Sequence, residues 1–182
     1  SKIKTARKES ALTLAEKSDT RDLGQVSANG GVTSLAVIAW SITHHEFFLL
    51  AGLASIAEAS ADTWATEIGT LSKFPPRSII SGKKCLPGES GGITFQGLTA
   101  SLAGAASTAF IGPWSVSRLG DNSLSLGDYF LPATPAAFLG AIIDSILGAT
   151  VQARYQCRTC RKITENSHHC RKPSELIGGY FR

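Results

Sequence analysis

Apolar and polar positions follow one another along this chain in long blocks rather than short periods. A polar, basic segment covers residues 1–25. Residues 26–43 are 18 positions without a formal charge, weakened by Asn29, Gly30 and Gly31. Residues 47–71 are apolar but carry Glu58, Asp62 and Glu67. Residues 93–117 hold no Asp, Glu, Lys or Arg in 25 positions, and residues 129–153 hold only Asp144 in 25 more. A bilayer core about 30 Å thick takes about 20 helical residues, so the blocks predict four membrane spans. Pro113 and Pro132 are expected to kink or begin a helix. The Ala- and Gly-rich stretches at 103–106 and 140–141 should let helices approach closely. The expected fold is all-α: a multi-pass transmembrane bundle of about four spans. Residues 1–25 are its polar basic arm, 26–153 its helical domain and 154–182 a Cys/His-rich tail.

Charge orders these blocks. Of 18 basic residues, 17 fall in three stretches. The arm holds Lys2, Lys4, Arg7, Lys8, Lys17 and Arg21. The loop after the second block holds Lys73, Arg77, Lys83 and Lys84. The tail holds Arg154, Arg158, Arg161, Lys162, Arg171, Lys172 and Arg182. The other two connections contain only Arg118. With four spans, the arm, the middle loop and the tail share one side, and the positive-inside rule makes it cytoplasmic or stromal. A soluble helical bundle with unevenly charged loops is the competing reading. A mean hydropathy of +0.07 is modest for a multi-pass protein, because polar termini dilute it. The net charge of +4 comes without a basic stripe interleaved with aromatics, so nucleic acid is not an expected partner. The first 25 residues lack the apolar core of a secretory signal. With Ser1 first and no Met, the chain is expected to be part of a longer one.

Carboxylates inside a span cost about 2.5–3.5 kcal/mol on insertion scales, so they are functional candidates. Glu58, Asp62 and Thr66 share one helix face by their i, i+4, i+8 spacing. Glu67 projects roughly 140° from Asp62 at about 100° per residue, near the basic-loop end. Asp144 has Gly140 and Gly148 one turn to either side, which leaves room for a neighbour. Buried acids paired to cations or amides are the structural alternative. The run from Leu86 to Thr94 includes Gly88, Glu89, Ser90, Gly91 and Gly92 and is expected to run directly into the third span. Glycine amides and a helix amino terminus suit phosphate, and Arg77, Lys83 and Lys84 lie just upstream. The spacing is not that of a nucleotide P-loop.

The tail contains Cys157, Cys160, His168, His169 and Cys170. Three thiolates and one imidazole are a soft set suited to tetrahedral zinc. Spacing leaves either histidine as the fourth ligand. Reduced, redox-active or palmitoylated cysteines are the alternatives. Cys85 is expected to be an ordinary thiol, and His44 and His45 to be interfacial residues.

Four strings carry a family resemblance. They are the run Arg21-Asp22-Leu23-Gly24-Gln25-Val26-Ser27-Ala28-Asn29-Gly30-Gly31, the run Ala61-Asp62-Thr63-Trp64-Ala65-Thr66-Glu67-Ile68-Gly69, the run Pro87-Gly88-Glu89-Ser90-Gly91-Gly92-Ile93, and the run Asp144-Ser145-Ile146-Leu147-Gly148-Ala149-Thr150. Together they resemble the motifs of the transmembrane protein 19 family, which includes plant and cyanobacterial phytyl-phosphate kinases. The likeness runs from about Arg21 to Arg182, and the tail cysteines resemble those of the kinase-type and prokaryotic members. It implies an integral membrane enzyme moving a phosphoryl group from a nucleoside triphosphate, CTP foremost, to an isoprenyl monophosphate. Asp62, Glu67 and Asp144 match the family's acidic positions; Asn29, Gly88, Ser90, Gly91 and Gly92 match its polar and glycine positions. On that basis Asp62 and Asp144 are expected to hold Mg²⁺, with Glu67 as a third ligand or water partner. The glycine loop, Arg77 and Lys83 would bind the triphosphate, and the bilayer and the prenyl monophosphate would be the other partners. Family members usually continue past the tail into a further helix that opens with an Asn-Asp motif, which this chain does not reach. A membrane transporter and a non-enzymatic scaffold or regulatory protein are the other classes considered. Prenyl chain length and oligomeric state are not legible.

Overall fold

The computed structural model describes residues 23–85, 89–118, 125–151, 153–160, 163–164, 167–170 and 172–179. The basic arm through Arg21, Gly88 and the side chain of Asn29 lie outside them. Among the described residues there are four long helices: α1 (Leu23–Thr43), α2 (Glu46–Thr70), α3 (Phe95–Arg118) and α4 (Leu126–Thr150). At about 1.5 Å rise per residue each is roughly 30 Å long or more.

The helices follow the apolar blocks of the sequence to within a few residues at each start. α1 runs unbroken through Gly30 and Gly31. Pro113 lies inside α3, and Pro132 and Pro135 lie inside α4, so none of them begins a helix. His45 precedes α2 and caps it, its Nδ1 accepting from the Phe47 N–H at 3.3 Å. Among the described residues α4 is both long and apolar enough to cross a membrane on composition, with a mean hydropathy of 1.6; Gly30–Thr43 is apolar but shorter. The acids of α2 and the Gly, Ser and Thr of α3 lower the hydropathy of those two helices.

The chain clusters into two compact units, Ser1–Ser72 with Phe95–Ile142, and Lys73–Thr94 with Ile143–Arg182. The first unit has a core of alanines. Ala57 and Ala61 of α2, Ala105 and Ala109 of α3, and Ala133, Ala137 and Ala141 of α4 are buried together. Each set repeats every four residues, which draws one straight stripe down a helix. Glycines extend the stripes. A β-carbon at Gly104 would lie 3.0 Å from the Ser60 carbonyl, and one at Gly112 would lie 2.8 Å from Leu53 Cδ1. Gly52 meets Ala36 of α1 in ordinary contact at 3.5 Å.

Large apolar side chains of this unit point the other way. Leu35, Ile42 and Leu131 are 68%, 74% and 68% exposed. Val37, Ile38, Phe47, Ile111 and Leu139 are exposed as well. A water-soluble bundle buries its Leu, Ile and Phe. Small residues inside and large apolar residues outside are the arrangement that lipid permits, because tails solvate Leu as well as a protein core does.

The second unit carries the short strands. β1 (Arg77–Ser78) pairs antiparallel with β2 (Gly92–Ile93). After the last turns of α4, β3 (Arg154–Gln156) pairs antiparallel with both β4 (Ile163–Thr164) and β7 (Glu175–Gly178). β5 (His168–His169) forms a separate pair with β6 (Lys172–Pro173).

Candidate functional site

The tail brings four soft donors together. Cys157 follows β3 and is buried; a turn then carries Cys160 back toward it. His169 ends β5, and Cys170 sits at the bend before β6 with φ of +52°. Cys160 Sγ lies 3.4 Å from His169 Nδ1, Cys170 Sγ lies 3.2 Å from the same nitrogen, and the two sulfurs are 3.8 Å apart. All four ligand atoms, including Cys157 Sγ, fall within 4.8 Å of one another. This is a group that can bind a metal. His169 rather than His168 completes it, since His168 is exposed and its Nδ1 faces the Ser167 hydroxyl at 3.3 Å.

The thiols respond to this crowding in opposite directions. Cys157 is drawn down to about 6, chiefly by the Cys160 N–H directed at its sulfur and against the effect of burial, with His169 and the Thr159 N–H adding. Cys170 is pushed up to about 11, first by its hydrogen bond to Cys160 and then by desolvation. Three sulfurs at this spacing resist ionising together without a cation among them.

The second unit also contains a cavity of about 230 Å³. Ser78, Ser81, Ser90 and Thr150 line it, with Cys85 and Glu89; the Thr150 hydroxyl donates to the Ile146 carbonyl at 2.9 Å. Its walls are held by backbone bonds. Ile79 N–H donates to the Gly91 carbonyl at 2.9 Å, and Cys85 N–H to the Pro76 carbonyl at 3.0 Å. Gly82, at φ of +67°, turns the chain so that Ser78 N–H reaches the Lys83 carbonyl at 2.9 Å. Arg77 donates from Nη1 to the Gly82 carbonyl at 2.9 Å, while Lys83 and Lys84 are exposed beside it. Burial, and then the charge of Glu89, push the Cys85 thiol above its ordinary range.

The glycine motif is built differently from a helix-mounted cradle. Gly92 belongs to β2, and Thr94 separates that strand from α3, so the motif does not run straight into the helix. The Gly92 N–H is taken by the Glu89 carbonyl at 2.9 Å. Gly91 has φ of +74° and presses against the end of α4. A β-carbon there would collide with Ala149 Cβ and lie 3.0 Å from the Ser145 carbonyl. Glycine at 91 is therefore required by conformation and by close approach, whatever the loop binds.

Of the acids, Asp62 is half-buried on α2 and Glu67 exposed near that helix's end, both in the first unit. Asp144 is exposed on α4, in the second unit with Arg77, Lys83, Ser90, Gly91 and Gly92. Glu58 lies in the first unit, its stem against Gly140.

The sequence profile of an integral membrane protein family, DUF92, matches residues 1–181. The chain belongs to the DUF92 family. It is 32% identical over 161 residues to Protein PGR of Arabidopsis thaliana, covering 79% of this chain and 56% of that protein. It is 30% identical over 159 residues to an uncharacterized membrane protein of Methanocaldococcus jannaschii, covering 87% of this chain and 60% of the relative. The chain thus spans somewhat more than half the length of these relatives. No solved structure matches it.

Sequence reasoning about this DUF92 chain missed Ser78, Ser81, Cys85 and Thr150 as cavity residues. The signal for the turn was present in Ser81-Gly82, a turn-forming pair. No local pattern announced Thr150, whose place depends on where α4 ends.

Proposed function

We propose that this DUF92 protein is an integral membrane prenyl-phosphate kinase. It moves a phosphoryl group from a nucleoside triphosphate, CTP foremost, to a phytyl-like isoprenyl monophosphate. The observation that carries the reading is a serine- and threonine-lined cavity, one wall of which comes from the segment Ser78 to Cys85 that Arg77 precedes and that carries Lys83 and Lys84, in a chain of an integral membrane family. Hydroxyls donate to phosphate oxygens, and flanking cations offset their charge. The resemblance of the four motifs to the phytyl-phosphate kinases points the same way.

The chain's residues take these roles in the proposal. Ser90 and the Gly91-Gly92 turn, with Asn29 and Gly88, bind phosphate, aided by Arg77 and Lys83. Asp62 and Asp144 are the Mg²⁺ carboxylates, with Glu67 as third ligand or water partner. Mg²⁺ held by these carboxylates would supply charge neutralisation for the phosphoryl transfer. The acceptor is already an anion, so the chain has little need of a general base. The prenyl tail lies between spans against Ala- and Gly-rich faces, while the outward Leu and Ile side chains meet lipid. In this reading the helices are four spans within residues 26–153, and the arm (1–25), the middle loop and the tail (154–182) lie on the cytoplasmic or stromal side. The soft donors of the tail fit zinc.

The test is a lipid-phosphate kinase assay on the full-length protein in proteoliposomes. CTP and ATP are compared across phytyl, farnesyl and geranylgeranyl monophosphates. Mg²⁺-dependent diphosphate formation is expected. If every nucleotide–acceptor pair yields none, the proposal fails.

A further inference from the structure

We propose that Cys157, Cys160, His169 and Cys170 close around one zinc ion as a structural site that folds the tail and takes no part in phosphoryl transfer. The inference rests on the tail alone and not on the activity proposed above.

Distance speaks first. Zinc–sulfur arms of about 2.3 Å and zinc–nitrogen arms of about 2.0 Å, at tetrahedral angles, put two sulfurs about 3.8 Å apart and a sulfur and a nitrogen about 3.5 Å apart. The chain holds Cys160 and Cys170 Sγ at 3.8 Å, and His169 Nδ1 at 3.4 and 3.2 Å from them. These three donors already match the edges, and Cys157 Sγ, within 4.8 Å of them, completes the set by a small closing movement. Four protein ligands fill a tetrahedron and leave no position for water or substrate, which is the pattern of structural rather than catalytic zinc.

The need for a staple is the second argument. Residues 153–179 contain strands of two to four residues. Among their described side chains Ala153 and Cys157 are the fully buried ones. A segment this short, with so little apolar burial, needs a metal or crosslink to hold a fold. Arg158 and Glu175 meet at 3.5 Å, but both are largely exposed and supply little. Cys170 adopts φ of +52°, an uncommon conformation for a non-glycine residue, and that bend follows His169 and brings both donors to one point.

The position of the module gives the zinc a consequence. β3 begins within a few residues of the end of α4, and Ala149 and Thr150 on that helix end meet Gly91 and the cavity, all within one unit. Folding the tail around zinc therefore steadies the wall on which the glycine turn rests.

The experiment uses the full-length protein, purified in detergent without chelators. Elemental analysis should find zinc at one equivalent per chain. Cys160→Ser, Cys170→Ser and His169→Ala should lose it, and His168→Ala should keep it. In wild type, a mercurial thiol reagent should release the zinc stoichiometrically. Cys157, Cys160 and Cys170 should resist alkylation until a chelator is added. These two readouts need no variant, so a misfolded mutant does not blunt the test. Cobalt exchanged into the site should give thiolate charge-transfer and tetrahedral d–d bands that azide and imidazole leave unchanged. A chain that takes up no zinc even on reconstitution, one that carries iron instead, or a native Cys157–Cys160 disulfide would overturn the site. Zinc undiminished in the Cys160→Ser/Cys170→Ser double variant would do the same. A cobalt spectrum that shifts with azide would overturn the structural role. None of these readouts involves kinase turnover, so this inference and the activity fail separately.

Discussion

The stem of Glu58 occupies the space that a side chain at Gly140 would fill: a β-carbon built at 140 falls 2.8 Å from Glu58 Cγ. Glycine at 140 thus lets α4 come up against an acid of α2. Gly140→Leu is expected to lose about 1–3 kcal/mol through overpacking. Gly140→Ala gains about 1 kcal/mol in helix propensity, yet should not stabilise, since Cγ sits next to the backbone and cannot swing clear as a chain tip would. Denaturation midpoints in detergent measure both. A Gly140→Leu protein as stable as wild type would contradict the close approach.

Gly91 is constrained twice, by a positive φ and by Ala149. Gly91→Ala should therefore disrupt the turn beside the cavity and lower phosphate-ligand binding. Adding Ala149→Gly removes the collision with the Ala149 methyl but not the left-handed backbone, which costs about 1–2 kcal/mol for an L-residue. The double variant should recover in part. Full recovery would leave the conformation without a role, and no recovery would leave the Ala149 methyl without one, the Ser145 carbonyl remaining 3.0 Å away.

Asp62→Asn and Asp144→Asn remove charge while keeping shape. Each is expected to cut Mg²⁺-dependent turnover by roughly a hundredfold or more, the scale on which electrostatic elements of a transition state act. Glu67→Gln, at an exposed position, should cost less. Rates in proteoliposomes at saturating and limiting Mg²⁺ distinguish a lost metal ligand from a folding defect. Wild-type turnover in both aspartate variants would end the metal assignment.

Cys85 offers a pH test. Burial, then Glu89, hold its thiol above the ordinary range. The thiolate is the species that alkylates, so Cys85 should react slowly at neutral pH and faster as pH rises. Glu89→Gln removes one of the two causes and should speed the reaction at a fixed pH near 8, a value close to the ordinary thiol range of about 8.5. The native state holds this proton more tightly than the unfolded chain does. Its stabilising contribution is therefore complete below the unfolded thiol range and is lost as pH climbs toward the raised native value. Mass-spectrometric alkylation rates from neutral to alkaline pH measure the effect. A slower Glu89→Gln reaction would reverse the assigned sign.

Much of the helical framework was legible because it rests on block composition. The starts of α1 to α4 lie within a few residues of the apolar blocks, since long runs without charges or breakers favour continuous helix. The zinc-type donors were legible as residue types, but their spacing left His168 and His169 equivalent. Tertiary structure chose His169 by turning the chain at Cys170. The glycine motif was legible as a turn, while its junction with α3 was not. Pairing of Gly92 and Ile93 with Arg77 and Ser78 is a long-range choice that no local pattern carries.

What the sequence alone determined is therefore the order of the long helices, the membrane class and the inventory of acids, glycines and soft ligands, because these follow from composition and local periodicity; the short strands of the second unit depart from the all-α expectation. What only the tertiary structure decided is proximity: Glu58 against Gly140, Gly91 against Ala149, and Thr150 beside Ser78, Ser81 and Ser90. Those contacts join residues tens of positions apart. They arise from how alanine and glycine stripes allow helices to close and how short strands pair, and neither is written in the run of neighbouring residues.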